Sequence, residues 1–103
     1  MHEINLPSGQ PNKVAISEEI DSQNAHRLRA VLQVKLSEKH PVLVIDCTNL
    51  EFIDSRGTAA LLEYVRDAGE FSGRLRVFGL NAKLHAVFTT MHLDEHFEIS
   101  DHA

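Results

Sequence analysis

Between Val42 and Leu62 the chain carries the run that most limits what it can become. Val42-Leu43-Val44-Ile45-Asp46-Cys47 is short and almost wholly apolar, the pattern of a strand covered on both faces. A short acidic loop around Glu51 follows it. Asp54-Ser55 then stand at the mouth of a helix that opens with Arg56-Gly57-Thr58-Ala59-Ala60-Leu61-Leu62. A strand that feeds a helix in this way is half of a βαβ unit, so a parallel sheet is expected. The turn also sets a hydroxyl among the unpaired backbone N–H groups of a helix N-terminus, a place that favours a phosphate.

The flanking segments supply the partners such a unit needs. Ile4 and Leu6 are expected to form a short first strand and Pro7–Asn12 a turn. Val14-Ala15-Ile16 then forms a second strand, which ends in Glu18-Glu19-Ile20-Asp21. Ser22 is the expected N-cap of a helix with Ala25, Leu28, Val31, Leu32 and Leu36 on one stripe and Arg27, Arg29, Gln33 and Lys35 outward. Lys39-His40-Pro41 closes it, because proline pushes its predecessor out of the helical region.

The central helix, from Arg56 to Ala68, is expected to turn Ala60, Leu61, Val65 and Ala68 inward and to stop at Gly69–Gly73. Leu75–Gly79 reads as the next strand, with Arg74 and Arg76 exposed. Asn81 caps a third helix bearing Leu84, Val87, Phe88 and Met91, Phe97-Glu98-Ile99 forms a last strand, and Ser100–Ala103 frays. The expected order is β-β-α-β-α-β-α-β. This is an α/β fold, a mixed, mainly parallel sheet with helices packed against it, in one domain over residues 1–103.

With 103 residues, 43% of them hydrophobic, the chain can build one core and not two. The net charge of −5, with Lys and Arg scattered, argues against a nucleic-acid or anionic-membrane surface, either of which needs a clustered basic face. Cys47, the single cysteine, sits in an apolar run and reads as a buried, inert thiol. The N-terminus lacks a basic segment followed by an apolar core, and no run approaches the ~20 apolar residues of a membrane span, so a soluble, cytoplasmic protein without membrane insertion is expected.

The residues of the Asp54-Ser55 turn admit two roles. Either side chain can cap the helix by accepting from an N–H two or three residues on. Alternatively Ser55 accepts a phosphate, which would add about −1.5 to −2 charge beside Asp54, Glu51 and Glu19 and repel a docked partner without unfolding the domain. Thr58 and Ala59, in the first turn, are the helix residues expected at such an interface, and Asp46 is expected to brace the site loop.

Other patterns carry less. His92-Leu93-Asp94-Glu95-His96 matches a zinc-peptidase pattern, but that chemistry needs both histidines one turn apart on a stable helix, and this helix is ending, with Leu93 and Phe97 as apolar plugs. A phospho-aspartate receiver would need an acidic pair after the first strand and a lysine after the last, and neither is present. Gly57, Gly69, Gly73 and Gly79 are isolated and make no phosphate loop. No catalytic residue, metal or cofactor is expected.

Leu50-Glu51-Phe52-Ile53-Asp54-Ser55-Arg56-Gly57-Thr58-Ala59-Ala60-Leu61-Leu62 resembles the signature of the STAS family, the sulphate-transporter and anti-sigma-antagonist domains. In that family an Asp-Ser-small-Gly turn follows the third strand and opens a helix. Glu19-Ile20-Asp21 resembles the family's Glu-Leu-Asp, and Arg74–Asn81 with the following Leu-Val-Phe-Met helix resembles its last third, so the likeness spans residues 13–99.

The resemblance implies a non-enzymatic anti-sigma factor antagonist. Its unphosphorylated form would bind an anti-sigma factor that is also a serine kinase of the histidine-kinase-like ATPase type. That kinase would phosphorylate Ser55, and a metal-dependent serine phosphatase would reset it. The implied partner surface is Glu19, Asp21, Asp54, Ser55, Arg56, Gly57, Thr58 and Ala59. Arg56 stands where the family usually has Ser or Thr, and Glu18 where Gly commonly precedes Glu-Leu-Asp. The alternative is a constitutive STAS subunit of a transport or sensory assembly, with Ser55 as a structural helix cap.

Overall fold

The computed structural model describes the backbone of Ile4–Asn5 and all of residues 11–100. Leu6 of the expected first strand, Pro7–Gln10 of the expected turn and Asp101–Ala103 of the expected frayed tail lie outside the described residues. The elements follow the expected order: β1 (Ile4–Asn5), β2 (Lys13–Ile20), α1 (Ala25–Glu38), β3 (Val42–Ile53), α2 (Ser55–Ala68), β4 (Arg74–Phe78), α3 (Ala82–Thr90) and β5 (Glu98–Ser100). Short 3-10 turns at Gly69–Phe71 and Leu93–Glu95 follow α2 and α3. Ser100 therefore belongs to the last strand rather than to a frayed end.

The strands form one sheet in the order β1-β2-β3-β4-β5, antiparallel between β1 and β2 and parallel thereafter. Each of the three crossovers advances by one strand in the same direction. Right-handed crossovers of that kind put all their helices on one face. The burial pattern agrees: Val14 and Ile16 of β2, Leu43, Ile45 and Cys47 of β3, and Leu75 and Val77 of β4 are buried in register. The opposite face carries Lys13, Ala15, Val42, Val44, Asp46 and Arg76, all half-buried. The expectation that β3 is covered on both faces is thus corrected, because a sequentially ordered sheet leaves one face without helices.

The acidic loop expected before Asp54 is also corrected. β3 stays paired with β2 up to Ile53, and two bulges, between Asp46 and Asn49 and between Leu50 and Phe52, each add a residue to β3. The bulges break the strand's alternation, so that Leu50 and Ile53 are buried while Glu51 and Phe52 between them are exposed. That spacing is what made a strand read as a loop.

α1 begins two residues later than Ser22 would have placed it. Asp21–Asn24 forms a turn in which the Asp21 carbonyl accepts from the Asn24 and Ala25 N–H groups at 3.2 and 2.8 Å. Ser22 is exposed in this turn and caps nothing, and Asn24, at the N-cap position, makes no side-chain cap bond. Instead the buried Asn24 amide accepts from the Asp21 N–H and donates to the Glu19 carbonyl, both at 2.8 Å. Ala25, Leu28 and Leu32 are buried as expected. Lys35, expected outward, is buried, its ammonium donating to the Pro11 carbonyl and pairing with Glu38 at 3.2 Å. A lysine can lie among apolar neighbours when its head finds oxygen partners.

α2 packs Gly57, Thr58, Ala60, Leu61, Tyr64 and Ala68 inward, with Val65 half-buried. Asn81 caps α3, its Oδ1 accepting from the Leu84 N–H at 2.8 Å. Leu84, Phe88, Leu93 and Phe97 join the core, the two phenyl rings meeting edge to face at 6.2 Å, whereas Met91 is exposed.

Candidate functional site

The site is built where β2 and β3 end side by side. Glu19 pairs in register with Phe52 and Ile20 with Ile53, and the Asp54 N–H donates to the Ile20 carbonyl at 2.9 Å. Sheet pairing thereby carries the Glu19-Ile20-Asp21 segment against the Ile53-Asp54-Ser55 turn, two stretches more than thirty residues apart in sequence.

Asp54 is the cap. Its Oδ1 accepts from the backbone N–H groups of Arg56 at 2.9 Å and Gly57 at 3.1 Å, which satisfies two of the donors left open at the start of α2. Ser55, the first residue of the helix, is exposed, and its hydroxyl makes no hydrogen bond among the described residues. The two roles that the sequence left open thus separate: the carboxylate caps, and the hydroxyl is left to the solvent.

Gly57 and Thr58, expected on the partner surface, are buried and shape the turn from beneath. A Cβ at Gly57 would stand 2.5 Å from Ile53 Cγ1 and 2.7 Å from Ile20 Cγ2, so only glycine lets α2 sit this close to the strand ends. Thr58 is 2% exposed and its hydroxyl donates to the Ser55 carbonyl at 3.1 Å, fixing the first turn. Glu19, Ser55 and Arg56 are exposed and Asp21, Asp54 and Ala59 partly so, which leaves six of the expected residues with surface to offer.

Asp46, expected to brace the site loop, braces something else. Its Oδ1 accepts from the Thr48 N–H at 2.9 Å and hydroxyl at 2.6 Å, and Oδ2 lies 3.9 Å from Lys13 Nζ. It holds the first bulge of β3, on the face of the sheet without helices.

Two features were missed by sequence reasoning. Phe52 is 45% exposed beside Glu19, because the second bulge turns it outward. Arg29 of α1 makes a two-pronged pair with Glu63 of α2, Nε–Oε1 3.1 Å and Nη2–Oε2 2.9 Å, which raises the guanidinium pKa. Neither has a local signature: one depends on a bulge, the other on which helices meet.

Catalytic chemistry finds little support. Burial, and then the neighbouring Asp46 charge, push the Cys47 thiol well above its ordinary range, so it is no nucleophile at neutral pH. His92 and His96 flank a 3-10 turn and do not share a helix, so the zinc-peptidase geometry is not formed. Among the described residues no group of three or more His, Cys, Asp and Glu side chains is placed to hold a metal ion. No helix among them is long and apolar enough to cross a membrane.

The chain is similar to proteins of known role. It is 26% identical over 88 residues to the anti-sigma-B factor antagonist of Listeria monocytogenes, covering 85% of this chain and 77% of that one. Its fold matches an anti-sigma factor antagonist from Mycobacterium paratuberculosis with a TM-score of 0.80 at 23% identity, over 99% of this chain and 86% of the other. It also matches the phosphorylated form of the Bacillus cell fate determinant SpoIIAA, with a TM-score of 0.66 at 17% identity over 97% and 91% of the two chains. The family described as Mlab, STAS domain matches residues 7–99, nearly the whole length, and the chain belongs to the STAS domain family.

Proposed function

We propose that this protein is an anti-sigma factor antagonist, a non-enzymatic binding module gated by phosphorylation of Ser55. The observation that carries the reading is the division of labour at the turn. Because Asp54 caps α2, the Ser55 hydroxyl is exposed and unengaged, free to enter a kinase without a cost in fold stability. The Listeria relative is named an anti-sigma-B factor antagonist, and the Bacillus neighbour is a protein known in a phosphorylated form.

In this reading the unmodified turn docks on an anti-sigma factor that is also a serine kinase of the histidine-kinase-like ATPase type. Glu19, Asp21, Asp54, Ser55, Arg56 and Ala59 contribute surface, with Phe52 as an apolar anchor, since exposed aromatics are favoured contact residues. A phosphate on Ser55 brings about −1.5 to −2 charge into a turn already holding Asp54, Glu51 and Glu19, and the partner is released. A metal-dependent serine phosphatase restores binding.

The alternative is a constitutive subunit of a transport or sensory assembly, in which the capping role given to Ser55 falls instead to Asp54. The test is capture of the cognate kinase by Ser55→Asp and Ser55→Ala. Ser55→Asp should lose binding at least tenfold with native far-UV dichroism, while Ser55→Ala keeps it. Equal capture by both variants would overturn the gating.

A further inference from the structure

We propose that the groove between the first turns of α1 and α2 is a built-in receptor for the Ser55 phosphate, in which Arg29 and Arg56 grip the modified side chain. The inference rests on the phosphorylation reading above and adds what becomes of the phosphate once it is attached.

The groove has a volume of about 340 Å³ and lies directly against Ser55. It is lined by Ala25, His26 and Arg29 of α1, by Ser55, Arg56 and Ala59 of α2, and by Ser22 of the turn before α1. Ala25 and Arg29 are four residues apart, as are Ser55 and Ala59, so each pair lies on one helix face. The chain as a whole carries a net charge of −5, yet among the described residues that line this groove none is acidic and two are arginines. Two nearby carboxylates are engaged elsewhere: Asp54 accepts from the Arg56 and Gly57 N–H groups, and Asp21 from the Gln23 N–H at 2.9 Å.

Arg29 is the movable part. Its guanidinium now forks onto Glu63, with both side chains about two-fifths exposed. The same planar fork matches a phosphate dianion, which carries more charge than a carboxylate and offers three oxygens. Phosphorylation then turns Arg29 from Glu63 towards Ser55, with exposed Arg56 closing from the other helix and His26 adding a ring nitrogen. The consequence is a switch with two parts. The phosphate adds negative charge to the turn, and it also consumes Arg56, the cation that an unmodified turn would present to an acidic partner.

The test uses the full chain with phosphate installed on Ser55 during translation, so that it does not depend on whether any kinase uses the site. The phosphate's second ionisation is followed by phosphorus NMR. Of the charged and titratable groups on the elements around it, His26 and Arg29 of α1 and Arg56 of α2 line the groove, while Glu19, Asp21, Glu51 and Asp54 at the strand ends and Glu63 of α2 lie outside its lining. If the arginines grip it, the midpoint falls by about one unit from the ~6 of an unconstrained phosphoserine. Arg29→Gln and Arg56→Gln should each restore part of that shift, and Arg29→Lys should keep part of it, which separates lost charge from lost fold. The Arg29 Nε resonance should also move on phosphorylation. A midpoint at or above the free value, or one unmoved by either arginine variant, overturns the proposal. Loss of kinase capture by Ser55→Asp would still stand in that case, so failure of the grip and failure of the gate are told apart.

Discussion

Glu18 holds a backbone φ of 61°, in the left-handed region, at the second bulge between β2 and β3. For a residue with a Cβ that conformation costs about 1 kcal/mol or more, whereas glycine adopts it freely. The departure from the family pattern noted at this position, Glu where Gly is common, is therefore a departure at a site whose geometry asks for glycine. Glu18→Gly should raise stability by about 1 kcal/mol, read as a shift of the urea midpoint with an unchanged slope. Gly57 makes the opposite case. Its φ is ordinary, and what it needs is room beneath α2, so Gly57→Ala should destabilise by about 1–3 kcal/mol as Ile20 and Ile53 are displaced. Both positions were visible in the sequence as members of a motif, but the reason for each was not: one is set by a backbone angle, the other by a distance between elements that meet only in the fold.

The helices and strands themselves were largely legible, and the errors fall where tertiary contacts overrode local pattern. Asn81 reads and acts as a cap, because a cap bond spans three residues and needs nothing distant. Ser22 reads as a cap and is not one, because the buried Asn24 amide reaches back to Glu19 and Asp21 and draws the turn onward by two residues. At Asp54 the cap is again local. Asp54→Ala should cost about 1 kcal/mol of stability and fray the first turn of α2, measured by amide exchange at Arg56 and Gly57, which lose their acceptor.

The far end of α1 gives a pH dependence. His40 first, at 2.7 Å, and then Lys35 hold the Glu38 carboxyl below its usual value of 4.5. A carboxyl held lower in the folded state than in the unfolded one contributes stability above the unfolded value and loses it as pH falls through the folded one. The thermal midpoint of the native chain should exceed that of Glu38→Gln at pH 6, and the two should converge below about pH 4 as the carboxyl is protonated.

At the scale of the molecule, the sequential strand order settles where everything else must lie: helices on one face, an open face opposite, and the site at the carboxyl ends of β2 and β3, where parallel sheets commonly bind. The continuous apolar run of β3 predicted a parallel sheet but not its one-sidedness, since Val42 and Val44 are as apolar as the residues they flank and only the strand order says which face has helices. Cys47 offers a probe of this architecture as a whole. It is fully buried at the centre of β3, the central strand, under the helices. Burial keeps its thiol protonated at neutral pH, so reaction with an aromatic disulfide requires both exposure and ionisation. No local opening short of lifting a helix from the sheet or separating β3 from its neighbours supplies these. The labelling rate of the native chain should accordingly fall below that of the unfolded chain by a factor near the global unfolding constant, about 10³ or more. It should rise with urea in step with the loss of far-UV dichroism. A fast labelling phase insensitive to urea would show instead that the open face of the sheet lets solvent reach β3 without unfolding.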